Sequence, residues 1–199
     1  LRSKASHDNL DLVLSWNNDT QSTFYGELNT STLVSRTPED NKLHIHTRIN
    51  PSTLIFNDTI WEMKPADIAY CDRQISINDF EISHAPQYIL IDGIASDREE
   101  DELNIQLNDV NLDYIFGSLN VRNIRFGGNA TGNLLATHLL TGAPRLSTEQ
   151  FDVTDFSYNE AVFGDLHLFC MWDNDNQGIL MKGFVENKEE KQTYIDGYI

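Results

Sequence analysis

The chain has 199 residues, a length at which one β domain or two small ones can bury most of the surface that the unfolded chain exposes. Lysine and arginine total 14 against 31 aspartate and glutamate residues, for a formal net charge of −17. Such a charge repels the phosphate backbone, so we expect no nucleic acid partner. No run approaches the roughly 20 apolar residues that a membrane-spanning helix needs.

Apolar and polar residues alternate with period two along most of the chain, which predicts β-strands that have one apolar and one polar face. The turn-like run 17–19 follows the first of these strands. The in-phase residues are Leu10, Leu12, Leu14 and Trp16; Leu43, Ile45, Thr47 and Ile49; Leu103, Ile105 and Leu107; Leu166, Leu168, Cys170 and Trp172; and Ile179, Met181, Gly183 and Val185. We therefore predict an all-β protein, organised as a single domain over residues 1–199.

Glycines interrupt several of these strands at irregular spacing, so no repeat of fixed period is predicted. They are Gly26, Gly93, Gly164, Gly183 and Gly197. Glycine inside a strand marks a bend, a bulge or a close approach of two backbones. This pattern favours a strongly curved sheet over a flat one.

One segment has helical spacing. Leu112, Ile115, Phe116 and Leu119 lie at i, i+3, i+4 and i+7, and Asn111 is placed to cap the first turn. We predict a short helix over Asn111–Leu119 that closes one end of the sheet.

The run Asp173–Ile179 has oxygen-bearing residues and a glycine in the order of an EF-hand calcium loop. The fifth position is Gln177 and the twelfth is Phe184, where that motif has Asp or Asn and a bidentate Glu. We therefore predict a tight turn between two strands, and no metal or other cofactor.

Other polar motifs have simple structural interpretations. His44 and His46 share one face of a strand but lack further ligands at a suitable spacing, so an exposed polar face is favoured over a metal site. Gly127–Gly132 lacks the lysine of a phosphate-binding loop and predicts a turn or bulge between strands. The acidic run Asp97–Glu102 predicts a solvated loop tip, with a site for a cation or a basic partner as the alternative.

Two cysteines, Cys71 and Cys170, are too few for a disulfide framework. Buried free thiols are the favoured interpretation, and a single bridge remains the alternative. Four Asn-x-Ser/Thr sequons, beginning at Asn18, Asn29, Asn57 and Asn129, keep a secreted glycoprotein open as a further alternative.

From Trp61 onward the chain resembles the C-terminal region of the TamB family, AsmA-like translocation and assembly proteins of Gram-negative envelopes, most of all its Bacteroidetes forms. The resemblance lies in the order of several blocks, while the first sixty residues share only a general strand character. The blocks are Trp61–Pro65, Ile75–Ile82, Gln87–Ser96, Leu103–Leu112, Gly128–Leu134 and Gly142–Leu146.

This resemblance implies an elongated, strongly curved, taco-like sheet with an apolar inner groove. It also implies a parent protein that is anchored in the inner membrane, crosses the periplasm and has no catalytic residues. The implied functions are phospholipid transport between the membranes and outer-membrane protein assembly. The implied partners are phospholipid acyl chains and an Omp85-superfamily outer-membrane barrel, which would dock through parts of the protein not present in this chain.

Because Leu1 is not preceded by methionine and the chain stops at Ile199 within an apolar alternation, we expect it to be an internal piece of such a protein. The candidate residues lining the groove are Leu103, Ile105, Leu107, Leu166, Leu168, Trp172, Ile179 and Met181.

Two other classes of function remain open. A closed β-sandwich binding module, of adhesin or carbohydrate-binding type, would also bury one face of every strand, and it predicts a filled core and exposed aromatic platform residues. A β-rich enzyme is disfavoured because the sequence identifies no acid, base or nucleophile.

Overall fold

The computed structural model describes residues 1–18, 24–39, 41–56, 59–113, 125–159 and 161–198. Most of the described chain is β-strand, as predicted, and the remainder is almost entirely turns and loops. The strands are β1 (Arg2–Ser6), β2 (Asn9–Asn18), β3 (Phe24–Arg36), β4 (Leu43–Ile49), β5 (Ser52–Phe56), β6 (Thr59–Met63), β7 (Ala66–Cys71), β8 (Gln74–His84), β9 (Gln87–Ala95), β10 (Leu103–Asn111), β11 (Phe126–Thr137), β12 (Arg145–Tyr158), β13 (Ala161–Asp173), β14 (Gly178–Glu186) and β15 (Gln192–Tyr198).

These strands form one antiparallel sheet of 15 strands rather than two packed sheets. The sheet is a meander in which each hairpin follows the previous one along the chain. Among the described residues, β1 pairs only with β2 and β15 pairs only with β14, so both form edges of an open sheet.

Two prolines interrupt one long hairpin at the same level. Pro51 separates β4 from β5, and Pro65 separates β6 from β7. Proline has no N–H to donate to the ladder, so regular pairing stops there. The outer neighbours maintain the sheet, because Asn50 N donates to Asn29 O (2.9 Å) and Lys64 N donates to Glu81 O (3.0 Å). The prolines therefore interrupt the pairing locally without dividing the sheet.

A single apolar cluster extends over most of the sheet. Its fully covered members include Trp61 (1% exposed), Val110 (0%) and Ala130 (0%). The buried cluster is Ile49, Leu54, Trp61, Met63, Ala66, Leu107, Val110, Leu112, Ala130, Val153 and Leu166, and partly buried residues from β2 to β15 pack against it.

The predicted helix falls mostly outside the described residues. Its first turn begins as expected, since Leu112 and Asp113 are helical and Asp113 N donates to the Asn111 side-chain oxygen (2.8 Å). Leu112 is buried in the cluster. In the described part of the chain, no helix is long and apolar enough to span a membrane.

Candidate functional site: an uncharged face of the sheet

Strand register assigns each residue to one face of the sheet, because cross-strand partners project to the same side. One row of partners crosses the sheet from β5 to β15. It consists of Ser52, Met63, Ile82, Ile89, Leu107, Gly132, Phe151, Leu168, Gly183 and Ile195. We call the side to which this row projects the inner face and the opposite side the outer face.

The inner face carries almost no charge. Within the described strands, Arg36 at the end of β3 is the one Asp, Glu, Lys or Arg residue in phase with it. In the same strands, the charged side chains otherwise project from the outer face or from bulges that face outward. Although the chain has a net charge of −17, the inner face of the described strands is therefore almost free of charged side chains.

All eight predicted groove residues lie on the inner face, but they differ in exposure. Leu103, Leu107 and Leu166 are buried, with exposed fractions of 8%, 7% and 4%. Ile105 and Leu168 are partly buried and pack against the apolar cluster. The other three, Trp172, Ile179 and Met181, are half-buried near the end of the β13–β14 hairpin.

Three β-bulges shape the inner face. Asp79, Asp109 and Asp155 have positive φ angles of 51°, 51° and 49°, and each lies at a register shift in β8, β10 or β12. Each backbone N–H donates to an oxygen of the next strand: Asp79 N to Asp92 (3.1 Å), Asp109 N to Thr131 (2.9 Å) and Asp155 N to Asp165 (2.9 Å).

The bulges share a sequence pattern that the strand analysis missed. An apolar residue, Asn or Thr, Asp, and a second apolar residue occur in order at Ile77–Phe80, Leu107–Val110 and Val153–Phe156. Strict alternation would place the two apolar residues on opposite faces. The extra residue of each bulge returns both apolar side chains to the inner face. This four-residue pattern could therefore have predicted the three bulges from the sequence.

At one end of the sheet, ion pairs link successive turns. Lys42 Nζ contacts Asp72 at 2.7 Å, Arg73 contacts Asp97 at 3.0 Å, and Arg145 contacts Glu99 at 3.4 Å. The hydrogen bond and charge of Lys42 hold the pKa of Asp72 below its ordinary value.

The acidic run Asp97–Glu102 therefore forms a loop with basic partners from this same chain. Within it, Asp101 accepts a hydrogen bond from Gln74 (2.7 Å). Hydrogen bonds from Ser96 and Gln74 lower the pKa of Asp101.

Trp172 lies where this row of contacts meets the inner face. The Arg145 guanidinium carbon is 5.0 Å from the centre of the Trp172 ring, within cation–π range. The Trp172 indole N–H donates to the Asn174 side-chain oxygen (3.0 Å). The indole is thus held at the end of the uncharged face, with an arginine over it.

The run beginning at Asp173 is a turn, as predicted. Asp173 pairs with Gly178 across the β13–β14 hairpin. The Asp173 carboxylate accepts hydrogen bonds from Asp175 N (2.9 Å), from Asn176 N (3.2 Å) and Nδ2 (2.8 Å), and from the Tyr198 hydroxyl (3.1 Å). These hydrogen bonds, those from Asn176 most of all, lower the pKa of Asp173. The hydrogen bond between the Tyr198 hydroxyl and Asp173 raises the pKa of Tyr198.

Both cysteines are free thiols, as the favoured interpretation predicted, but neither is fully buried. Cys71 projects outward, and its sulfur lies 3.6 Å from His44 Nε2. Cys170 projects inward opposite Met181, where burial raises the pKa of its thiol.

His44 and His46 have different neighbours. His44 Nε2 lies 2.6 Å from the Thr37 hydroxyl, and His46 lies 3.2 Å from Asp67. Among the described residues, no group of three or more His, Cys, Asp or Glu side chains is arranged to hold a metal ion. The run Gly127–Gly132 lies within β11 rather than between two strands, and the predicted bulge occurs at Gly128, where the register with β12 shifts.

Comparisons with protein-family models, with curated proteins and with solved structures gave no match. The function proposed below combines the sequence resemblance of the blocks from Trp61 to Leu146 with the strand register and burial described above.

Proposed function

We propose that this chain is a segment of a periplasm-spanning TamB or AsmA-like protein whose uncharged inner face supports passage of phospholipid acyl chains between the inner and outer membranes. The observation that carries the proposal is the separation of charge between the two faces. Each acyl methylene that leaves water for an apolar surface stabilises the bound lipid by about 0.8 kcal/mol. A charged side chain on that surface would instead lose its hydration whenever an acyl chain covered it.

In this proposal the sheet is elongated and strongly curved, with the inner face along a taco-like groove. Bulges bend strands and increase their twist, and here they recur on β8, β10 and β12. Burial of Val110 and Ala130 supports the curvature, because a single flat layer leaves both of its faces in water.

The ligand would lie along the accessible parts of the inner face rather than its covered centre. Leu10, Leu14 and Val34, in phase with that face on β2 and β3, are each 38% exposed. Trp172, Ile179 and Met181 are half-buried on the same face, near the other edge of the sheet. By contrast, Leu107 and Leu166 belong to the buried apolar cluster, where neighbouring side chains cover them.

The proposed role needs no catalytic residue. It places the parent protein in the periplasm of a Gram-negative bacterium, anchored in the inner membrane. Assistance to outer-membrane protein assembly through an Omp85-superfamily barrel belongs to the same proposal and would involve other parts of the protein.

Photo-crosslinking at Met181 tests lipid contact directly. A photoreactive amino acid replaces Met181 in the purified chain, which is then irradiated with vesicles of phosphatidylethanolamine and phosphatidylglycerol. The matched control carries the same group at Lys182, the next residue of β14, which projects from the outer face.

We expect phospholipid adducts, identified by mass spectrometry, at position 181 and several-fold fewer at position 182. Equal labelling at the two positions, or no adduct at either, would contradict the proposal.

A further inference from the structure

A positively charged group borders the inner face at the end of the β13–β14 hairpin. Trp172 and Ile179 are cross-strand partners there, and Cys170 and Met181 form the next pair that projects inward. The Arg145 guanidinium carbon lies 5.0 Å from the centre of the Trp172 ring. A cation is thus held beside the half-buried apolar side chains that the proposed lipid would contact.

Apolar surface continues from these side chains to the level of the arginine. Leu146, which follows Arg145 in β12, pairs with Ala136 on the inner face and is 37% exposed. Met181 and Ile179 lie two residues apart along β14, a distance of about 7 Å in a strand. A molecule with an acyl chain at Met181 would therefore place a polar end near Arg145.

The acidic partner of Arg145 within the chain is weakly bound. Arg145 Nη1 lies 3.4 Å from Glu99 Oε1, whereas a strong charge-assisted hydrogen bond measures about 2.7–2.9 Å. The Glu99 side chain is 75% exposed, so solvent screens this ion pair. The Arg145 side chain is only 22% exposed and is held against the Trp172 ring. An anion that offers two oxygens can therefore replace Glu99 at a guanidinium that is already positioned.

We propose that Arg145, stacked on Trp172, binds the phosphate of a phosphatidylethanolamine whose acyl chains lie along Ile179 and Met181, and that Glu99 pairs with the amine of the same headgroup. This inference rests on the proposed function, since it assigns the headgroup end of the same lipid site. A guanidinium presents its N–H groups as a fork that matches two phosphate oxygens. Glu99, once displaced from that fork, supplies the negative charge that pairs with an ammonium group.

The charges at this end of the sheet favour a zwitterionic headgroup over an anionic one. The chain has a net charge of −17, and a carboxylate lies beside the arginine. Phosphatidylglycerol or free phosphate would gain the contact with Arg145 and be repelled by Glu99. Phosphatidylethanolamine carries one charge of each sign and matches both side chains. Free phosphate also lacks the methylenes that an apolar surface removes from water.

Competition among lipids in one vesicle preparation tests the headgroup site. The chain carries the photoreactive amino acid at Met181, and the vesicles contain phosphatidylethanolamine, phosphatidylglycerol and diacylglycerol with the same acyl chains. Mass spectrometry measures the adduct of each lipid relative to its content in the vesicles. We expect the parent to capture phosphatidylethanolamine at least about twofold more than phosphatidylglycerol. Arg145→Met should lower phosphatidylethanolamine capture about threefold to fivefold and leave diacylglycerol, which has no phosphate, unchanged.

Three further variants separate phosphate recognition from charge and packing. Arg145→Lys keeps the charge without the fork, so its capture of phosphatidylethanolamine should lie between those of the parent and Arg145→Met. Arg73→Met is the matched control, because Arg73 makes the neighbouring ion pair with Asp97 (3.0 Å) and is 69% exposed. It should capture all three lipids like the parent. Glu99→Gln should bring the yields of phosphatidylethanolamine and phosphatidylglycerol closer together. Circular dichroism establishes that each variant is folded.

Glycerophosphoethanolamine distinguishes a lipid from its headgroup alone, since it has the phosphate and the amine without acyl chains. At the concentration of the lipid, it should leave capture at Met181 unchanged. If it abolishes capture, the site recognises the free headgroup and the lipid assignment is wrong.

The outcomes for Arg145→Met separate this inference from the proposed function. An unchanged yield of every lipid, or an equal loss of all three, would overturn the headgroup site and leave the proposed function intact, because the parent still captures phospholipid. The same loss of phosphatidylethanolamine in Arg73→Met would also overturn the headgroup site. No phospholipid adduct in the parent would overturn the proposed function, and the headgroup site with it.

Discussion

At the residue scale, Gly164 is a position where the backbone excludes any side chain. Its φ is +123°, and an added Cβ would overlap the carbonyl oxygen of Glu186 on the neighbouring strand. Gly164→Ala should therefore lower the free energy of unfolding by about 2 kcal/mol or more, through backbone strain and displacement of β14. Urea unfolding monitored by tryptophan fluorescence measures this change.

Gly197→Ala is the matched control, because an added Cβ at Gly197 meets no atom within 4 Å. We expect it to change stability by less than about 0.5 kcal/mol. Equal midpoints for the two variants would show that the conformation at Gly164 is not required.

Asp173 gives a pH-dependent test at the same scale. Its hydrogen-bond donors lower its pKa in the folded protein below the ordinary 3.8. A depressed folded-state pKa stabilises the fold above the unfolded-state pKa, and that contribution is lost as pH falls through the folded value. Asp173→Asn should thus lower the melting temperature at neutral pH, and its difference from the parent should shrink as the pH falls below 3.8. A constant difference over the whole pH range would contradict this expectation.

At the element scale, the bulges determine which side chains of a strand reach the inner face. Asp109 has a φ of 51°, a conformation that glycine adopts freely and that β-branched residues avoid. Asp109→Val should destabilise the chain by about 1–2 kcal/mol, whereas Asp109→Gly should be close to neutral. Chemical denaturation of both variants measures the difference, and a Val variant as stable as the Gly variant would contradict the bulge geometry.

At the scale of the whole molecule, the inner face combines a closed centre with more accessible margins. Val110 is 0% exposed, so Val110→Arg would bury an unpaired guanidinium at a cost of several kcal/mol. That cost is comparable to the whole stability of a domain, and we expect this variant to unfold. Met181→Arg can instead extend its charge into water along the apolar surface, so we expect a folded protein with a modestly lower melting temperature.

The Met181→Arg variant also tests the proposed function. With a photoreactive amino acid at Ile179, the folded Met181→Arg variant should capture much less phospholipid than the parent. Circular dichroism and thermal melting establish whether each variant is folded. A folded Met181→Arg variant that captures lipid as well as the parent would contradict a conduit along this part of the inner face.

Local alternation was enough to predict the all-β class and, within each of β10, β13 and β14, the shared face of the groove candidates on that strand. Side chains two residues apart share a face of a strand whatever the rest of the chain does. The turn at Asp173 followed from composition for a similar reason, since Asn, Asp and Gly satisfy turn geometry within a few residues. These features depend on contacts close in sequence, and the sequence by itself determined them.

Register and burial depend instead on partners far away in the chain. Alternation placed Leu107 and Met181 in one class, but only the assembled sheet decided that the first is covered and the second half-exposed. His167, Phe184 and Tyr194 are neighbours on the outer face because β13, β14 and β15 pair in one particular register, and a slip of one residue would disperse them between the two faces. Long-range pairing therefore decided which residues meet, because no local pattern specifies the neighbour across a strand.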